Sequence, residues 1–277
     1  MDSQTVISGA THGLMLWYKN VVPILLPFML ISALVVDSIS RKPAKNSNAA
    51  IASTLFLGIL CGYPVGAKVA SDYVRNGIYS KQTGSILFPL CNNSSPMFIS
   101  GYITTCILGN KISFLTIMAL IYIPYILISL FFLCIEYFRR KKDSGEISQQ
   151  KLIIPAQASC DIIENSINTI TCVGVYIMLC SIIIEFINTA SPLSQNYNLF
   201  ISGITEITRG VESFFTNSPF DIKTKTALII GFTSFGGISA LLQTNKVISN
   251  SELSIIRYTI VKIVCATMSY ALAMLLI

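Results

Sequence analysis

The stretch Leu90-Cys-Asn-Asn-Ser-Ser-Pro-Met-Phe98 decides the fold. It lies in the middle of the apolar run 85–108 and sets amides, hydroxyls and a proline where a membrane helix would carry hydrocarbon. Backbone that unwinds at membrane depth is tolerated only where protein or a water-filled cavity satisfies its N–H and C=O groups. The same punctuation recurs along the chain. Gly58-Ile-Leu-Cys-Gly62-Tyr-Pro-Val-Gly66-Ala-Lys68 places glycines four apart around a proline and a lysine. In the second half, Gly231-Phe-Thr-Ser-Phe-Gly236-Gly-Ile-Ser239 breaks another apolar run. Just before it, Ile204-Thr-Glu206-Ile-Thr-Arg209-Gly210 brings a carboxylate and a guanidinium into an apolar setting.

Composition makes the membrane the only setting for these segments. Of 277 residues, 53% are hydrophobic and 12% charged, against about 25% charged in a soluble domain. A water-soluble globule of this size would lack the polar surface to cover itself. An ordinary soluble enzyme, a disordered chain and a disulfide scaffold are excluded. The net charge of +6 does not point to nucleic acid, because the basic residues sit mainly in short loops between apolar runs, where they orient a membrane protein. The eight cysteines form no CxxC pair and read as small buried hydrophobes. The N-terminus, Met-Asp-Ser-Gln, lacks the basic region of a cleavable signal peptide.

Apolar runs fall at 21–36, 49–70, 85–108, 112–138, 162–187, 199–215, 227–242 and 255–277, of which 112–138 and 255–277 read as uninterrupted spans. Paired broken segments in corresponding positions of two halves point to a carrier's binding site. Loop charges give a topology. Arg41, Lys42, Lys45, Arg75, Lys81 and the cluster Arg139–Lys142 share one positive face, and the loop 188–198 without Lys or Arg suits the other. A hairpin at 49–70 then opens to the positive face and one near 199–215 to the opposite face, although Lys223 and Lys225 fall on that second face.

Several residues carry candidate chemistry. Lys68 at membrane depth needs an anionic partner, water or an interface to snorkel to; facing a cavity, it would offset the charge of an anionic solute. Asn92, Asn93, Ser94, Ser95 and Pro96 supply amides, hydroxyls and freed backbone groups that can replace a solute's hydration shell. Phe235-Gly-Gly-Ile-Ser239 has the G-x-S outline of an intramembrane serine protease, but that chemistry needs a base. The single histidine, His12, lies on the amphipathic N-terminal stretch, so no enzyme is expected.

Taken in order, these segments resemble the sporulation integral membrane protein family of the YlbJ type. The resemblance rests on Gly13-Leu-Met-Leu-Trp17 with Val22-Pro-Ile-Leu-Leu-Pro27-Phe28, on Gly62-Tyr-Pro-Val-Gly-Ala-Lys68, and on Cys91–Phe98 with Gly101. Glu206-Ile-Thr-Arg-Gly210 and Phe235-Gly-Gly-Ile-Ser239 with Gln243 complete it. That family carries the nucleoside recognition, or gate, domain related to concentrative nucleoside transporters. The resemblance implies an all-α integral membrane fold of two inverted repeats, each with a re-entrant helical hairpin and a discontinuous helix. The first repeat would cover 1–138, a basic cytosolic-side linker 139–160 and the second repeat 161–277. It also implies a carrier of a small organic anion, dipicolinate during endospore formation, in the cell membrane or outer forespore membrane of a spore-forming bacterium.

In nucleoside transporters the first hairpin carries a carboxylate just after its glycine; here that neighbourhood reads Tyr63-Pro64-Val65 with Lys68 near, which favours an acidic solute. The expected site is Gly62, Tyr63, Pro64, Gly66, Lys68, Asn92, Asn93, Ser94, Pro96, Glu206, Thr208, Gly236, Gly237, Ser239 and Gln243. The partners expected are the anionic solute and the lipid bilayer, with no nucleic acid, no resident cofactor or metal, a coupling ion of open identity, and room for a homo-oligomer. The alternatives are an ion-coupled nucleoside transporter and a non-transporting sporulation scaffold.

Overall fold

The computed structural model describes residues 3–40, 47–142, 159–190 and 195–277, and these are helical with no strand among them. The loop basics Arg41, Lys42 and Lys45, and most of the 139–160 linker, fall outside the described residues.

The helices are α1 (Ser3–Leu16), α2 (Val22–Ser40), α3 (Ser47–Cys61), α4 (Val65–Arg75), α5 (Lys81–Cys91), α6 (Phe114–Lys142), α7 (Ser159–Ala190), α8 (Gln195–Thr205), α9 (Ile207–Asn217), α10 (Ile222–Phe235), α11 (Gly237–Ile248) and α12 (Ile255–Leu276). Wider π-helical turns form Trp17–Val21 and Phe98–Ile107.

Four stretches, Phe114–Phe138, Ile163–Thr189, Ile222–Ile248 and Ile255–Leu276, are long and apolar enough to cross a membrane. Their outward faces confirm the medium. Leu115, Leu127 and Phe131 on α6, Leu179 and Ile183 on α7, and Ile256, Ile260 and Ile263 on α12 are exposed. On helices of this length and apolarity, such exposed apolar faces suit a lipid surround. The interior is largely apolar but also buries Asn92, Asn93, Glu206, Gln243 and Lys262. The chain is an integral membrane protein.

The breaks expected from sequence are real, and each has a local cause. The run 49–70 splits into α3 and α4 at Gly62–Pro64, the run 199–215 into α8 and α9 at Glu206, and the run 85–108 at Asn92–Pro96. Glu206 stops α8 and starts α9 by accepting from Thr208 N at 3.1 Å and Arg209 N at 2.9 Å. That satisfies two of the donors a helix start leaves open. α10 ends where Gly236 and Gly237 take φ of +86° and +84°, conformations that a Cβ disfavours. Pro27, by contrast, does not interrupt α2. α4, α8 and α9 have 11 residues each, about 16 Å at 1.5 Å per residue, half of a bilayer core about 30 Å thick.

Packing gathers these short helices between the long ones. One apolar cluster joins Ile99 and Ile103 to Ile117 and Ile121 on α6, Val211 and Phe214 on α9, and Ile230 on α10. A second joins α2, α3, α4 and α7 through Met29, Leu57, Val69 and Ile170. The N-terminal segment lies along α7, where Trp17 Nε1 donates to Ile170 O at 2.9 Å. Lys81 Nζ reaches Glu252 Oε2 at 3.5 Å, so the turn before α5 and the turn after α11 share one face.

Candidate functional site

The turns and breaks converge on one another. Gly62–Pro64 meets the α5 break through a bond from Tyr63 N to Asn93 O at 2.9 Å. The Tyr63 ring lies over Gly236, its Cε1 3.5 Å from where a Cβ there would stand. On the other side of the same break, such a Cβ on Gly237 would stand 3.2 Å from Thr205 O at the end of α8. Ser94 Oγ donates to Thr233 O at 2.9 Å, tying the two interrupted helices directly.

Asn92 is the brace of this crossing. Its Oδ1 accepts from Ala67 N at 3.0 Å, and its Nδ2 donates to Thr244 Oγ1 at 3.0 Å and Tyr258 OH at 2.8 Å. Four elements, α4, the α5 break, α11 and α12, are thereby held by one buried amide. Asn93 works backwards and sideways. Its Nδ2 donates to Pro89 O and Leu90 O, capping the last carbonyls of α5, and its Oδ1 accepts from Lys262 Nζ at 2.9 Å.

Beside the crossing lies a cavity of about 510 Å³. Its polar side is formed by Tyr63, Ser94, Ser95, Glu206, Thr208, Ser239 and Gln243, and its apolar side by Leu16, Val21, Phe98, Val173 and Ile177. Gln243 Nε2 donates to Ser239 Oγ at 3.0 Å, and Tyr102 OH, also on the wall, donates to Thr208 O at 2.7 Å. Cys106 lines the cavity and is exposed, whereas Cys61, also in the lining, is buried. Glu206 is the one charged side chain among the described residues that line it. Its carboxylate sits at the N-terminus of α9, where the helix dipole favours negative charge.

Of the expected site residues, Tyr63, Ser94, Glu206, Thr208, Gly236, Ser239 and Gln243 line this cavity. Gly62, Pro64, Gly66, Asn92, Asn93, Pro96 and Gly237 form the turns and braces around it rather than its wall. Lys68 is elsewhere. Its Nζ pairs with Asp72 Oδ2 at 3.5 Å, one helical turn on along α4, and it does not line the cavity. The proximity of Lys68 to the Gly62 turn in sequence does not carry into the cavity, because α4 runs away from the turn. Arg209 is likewise spoken for by an ion pair with Glu185 on α7.

One buried cation escaped the sequence reading. Lys262, on the span read as uninterrupted, is 0% exposed and donates to Asn93 Oδ1 and to Ser234 O, both at 2.9 Å. Its signal was present: Tyr258, Lys262, Cys265 and Ser269 recur at helical spacing and form the buried face of α12. Tyr102 and Thr244 also went unread.

Comparisons of the chain with protein-family profiles, with curated proteins and with solved structures give no match. Among the described residues no group of three or more His, Cys, Asp or Glu side chains is placed to hold a metal ion.

Proposed function

We propose that this protein is a membrane carrier whose solute sits in the cavity between the Tyr63 and Glu206 turns. The observation that carries the reading is a largely apolar space of about 510 Å³, bordered by two helix turns and two interrupted helices that bring Tyr63, Ser94, Glu206, Ser239 and Gln243 to its wall. The order of elements supports it. α3–α4, the broken α5 segment and α6 are followed by α8–α9, the broken α10–α11 segment and α12, the succession of two repeats. The Lys81–Glu252 contact fits an inverted relation, since it pairs the start of one broken helix with the end of the other. Unwound backbone at a midplane site between repeats is how such carriers hold solute and coupling ion.

The charge of the wall bears on the solute. A planar dicarboxylate such as dipicolinate would need a cation on the wall itself, and the wall offers Glu206 instead. Lys68 is bound to Asp72, Arg209 to Glu185, and Lys262 lies behind Gly236 with its ammonium held by Asn93 and Ser234 O. Like charges brought together at low dielectric repel strongly. A neutral or cationic solute that donates hydrogen bonds to Glu206 and lays an apolar face against Val173 and Ile177 suits the wall better. Of the two transport readings, a nucleoside-like solute therefore takes precedence over the organic anion. A role in endospore formation rests on the family resemblance alone.

Thermal unfolding of the purified protein tests this. Uridine or another nucleoside is expected to raise the melting temperature saturably, while dipicolinate leaves it unchanged. The reverse pattern would overturn the assignment of solute charge, and no response to any solute would favour a scaffold.

A further inference from the structure

We infer that the Lys262 ammonium is a tethered cation, holding the place that an exchangeable coupling cation takes in carriers built from interrupted helices. The side chain is fully buried, yet it takes part in none of the ion pairs formed by the described residues. A buried charge without a counter-ion persists only where oriented dipoles replace water. Here two helix ends supply them. Ser234 O belongs to the last turn of α10, where the free carbonyls carry the negative end of the helix dipole. Asn93 stands just past the end of α5, takes that helix's last carbonyls on its Nδ2, and offers its own Oδ1 to the ammonium. The negative end of α10 thus meets the cation directly, and that of α5 acts on it through the Asn93 amide it polarises.

Aromatic faces complete the shell. Nζ lies 5.2 Å from the ring centre of Tyr125 on α6 and 5.7 Å from that of Tyr258 on α12, within cation–π range. Both phenols serve the same breaks, Tyr125 OH donating to Ser234 O at 2.7 Å and Tyr258 OH to Asn92 O at 2.8 Å. Carbonyl oxygens from unwound segments and half-helix C-terminal ends are the donor set that elsewhere binds sodium. In this chain the cation arrives on α12 and cannot leave. It also lies directly behind the cavity wall, Nζ being 3.6 Å from where a Cβ on Gly236 would stand. The consequence for coupling, sodium-independent transport, rests on the carrier reading above; the cation site itself does not.

The test uses the full chain in detergent, melted in sodium chloride and in choline chloride of equal ionic strength. Wild type is expected to melt at the same temperature in both. Lys262→Ala is expected to melt several degrees lower in choline and to recover saturably with sodium or ethylammonium, which can enter the space left. Lys262→Met, which fills that space without charge, is expected to melt lower in both salts and to show no recovery. Lys262→Gln, which keeps a donor but no charge, is expected to fall below wild type as well. A wild type that gains stability saturably with sodium would overturn the inference. So would wild-type melting of the Met or Gln variant, or a folded Ala variant indifferent to both cations. Should the Ala variant fail to fold, the Gln variant and the salt response of wild type still decide. Absence of solute uptake by wild type vesicles would count against the carrier reading, whereas the melting series judges the cation site on its own.

Discussion

Glu206→Gln is expected to weaken solute binding by about ten- to a hundredfold while leaving the fold in place. A hydrogen bond to a charged group is worth about 1.5–3 kcal/mol, and every 1.4 kcal/mol is roughly tenfold in affinity. The glutamine keeps the shape and one of the two cap acceptors for α9, so the melting temperature without solute should fall modestly and by less than in Glu206→Ala. Glu206→Ala removes the cap as well, at a cost of about 0.5–2 kcal/mol in stability. Calorimetric titration of the solute that answers the thermal screen, together with melting of both variants, separates the two effects. Equal solute affinity in wild type and Glu206→Gln would place the solute away from this carboxylate.

The second large effect is on stability. A Cβ added to Gly210 would stand 2.2 Å from Ser202 O, and one added to Gly66 would stand 2.1 Å from Cys91 O. Both obstacles are backbone, so neither can swing aside. Gly210→Ala must push α9 off α8, and Gly66→Ala must push α4 off the end of α5. Overpacking of a tight contact costs about 1–3 kcal/mol, and these approaches are closer than most. Each variant is expected to melt well below wild type and to extract from membranes in lower yield. Alanine at Gly101, where a Cβ meets nothing within 4 Å, serves as the control and should melt like wild type. Unchanged melting of both Gly66→Ala and Gly210→Ala would show that the short helices do not pack this closely.

What could be read from the chain, and what could not, follows from the physics of each signal. Breaks were legible because Asn92-Asn-Ser-Ser-Pro96 and a proline beside paired glycines are costly in a plain lipid-facing helix. Glu206 was legible as a carboxylate in an apolar setting, and its cap role follows from its position just before α9. Lys262 was hidden by averaging: one lysine among the 22 residues of α12 barely lowers its hydropathy, and the span reads as plain lipid-facing helix. Lys68 was misplaced for a different reason. Its spacing to Asp72 is one helical turn, which in a helix supplies its own counter-ion, but the sequence alone left the lysine free to face the solute. Which side of a helix faces the cavity depends on how α4 and α12 rotate against their neighbours, and that is set by long-range packing.

Cys106 gives the cavity a handle of its own. As an exposed thiol in the lining that also includes Glu206 and Ser239, it offers a natural attachment point for a maleimide probe. With Cys134, Cys160 and Cys172 replaced by serine, the rate of alkylation from each side of a sealed vesicle would, for a carrier, report which entrance is open, and its slowing by added solute would report occupancy. On the carrier reading proposed above, this thiol would serve as a gauge of alternating access, readable before any transported compound has been identified.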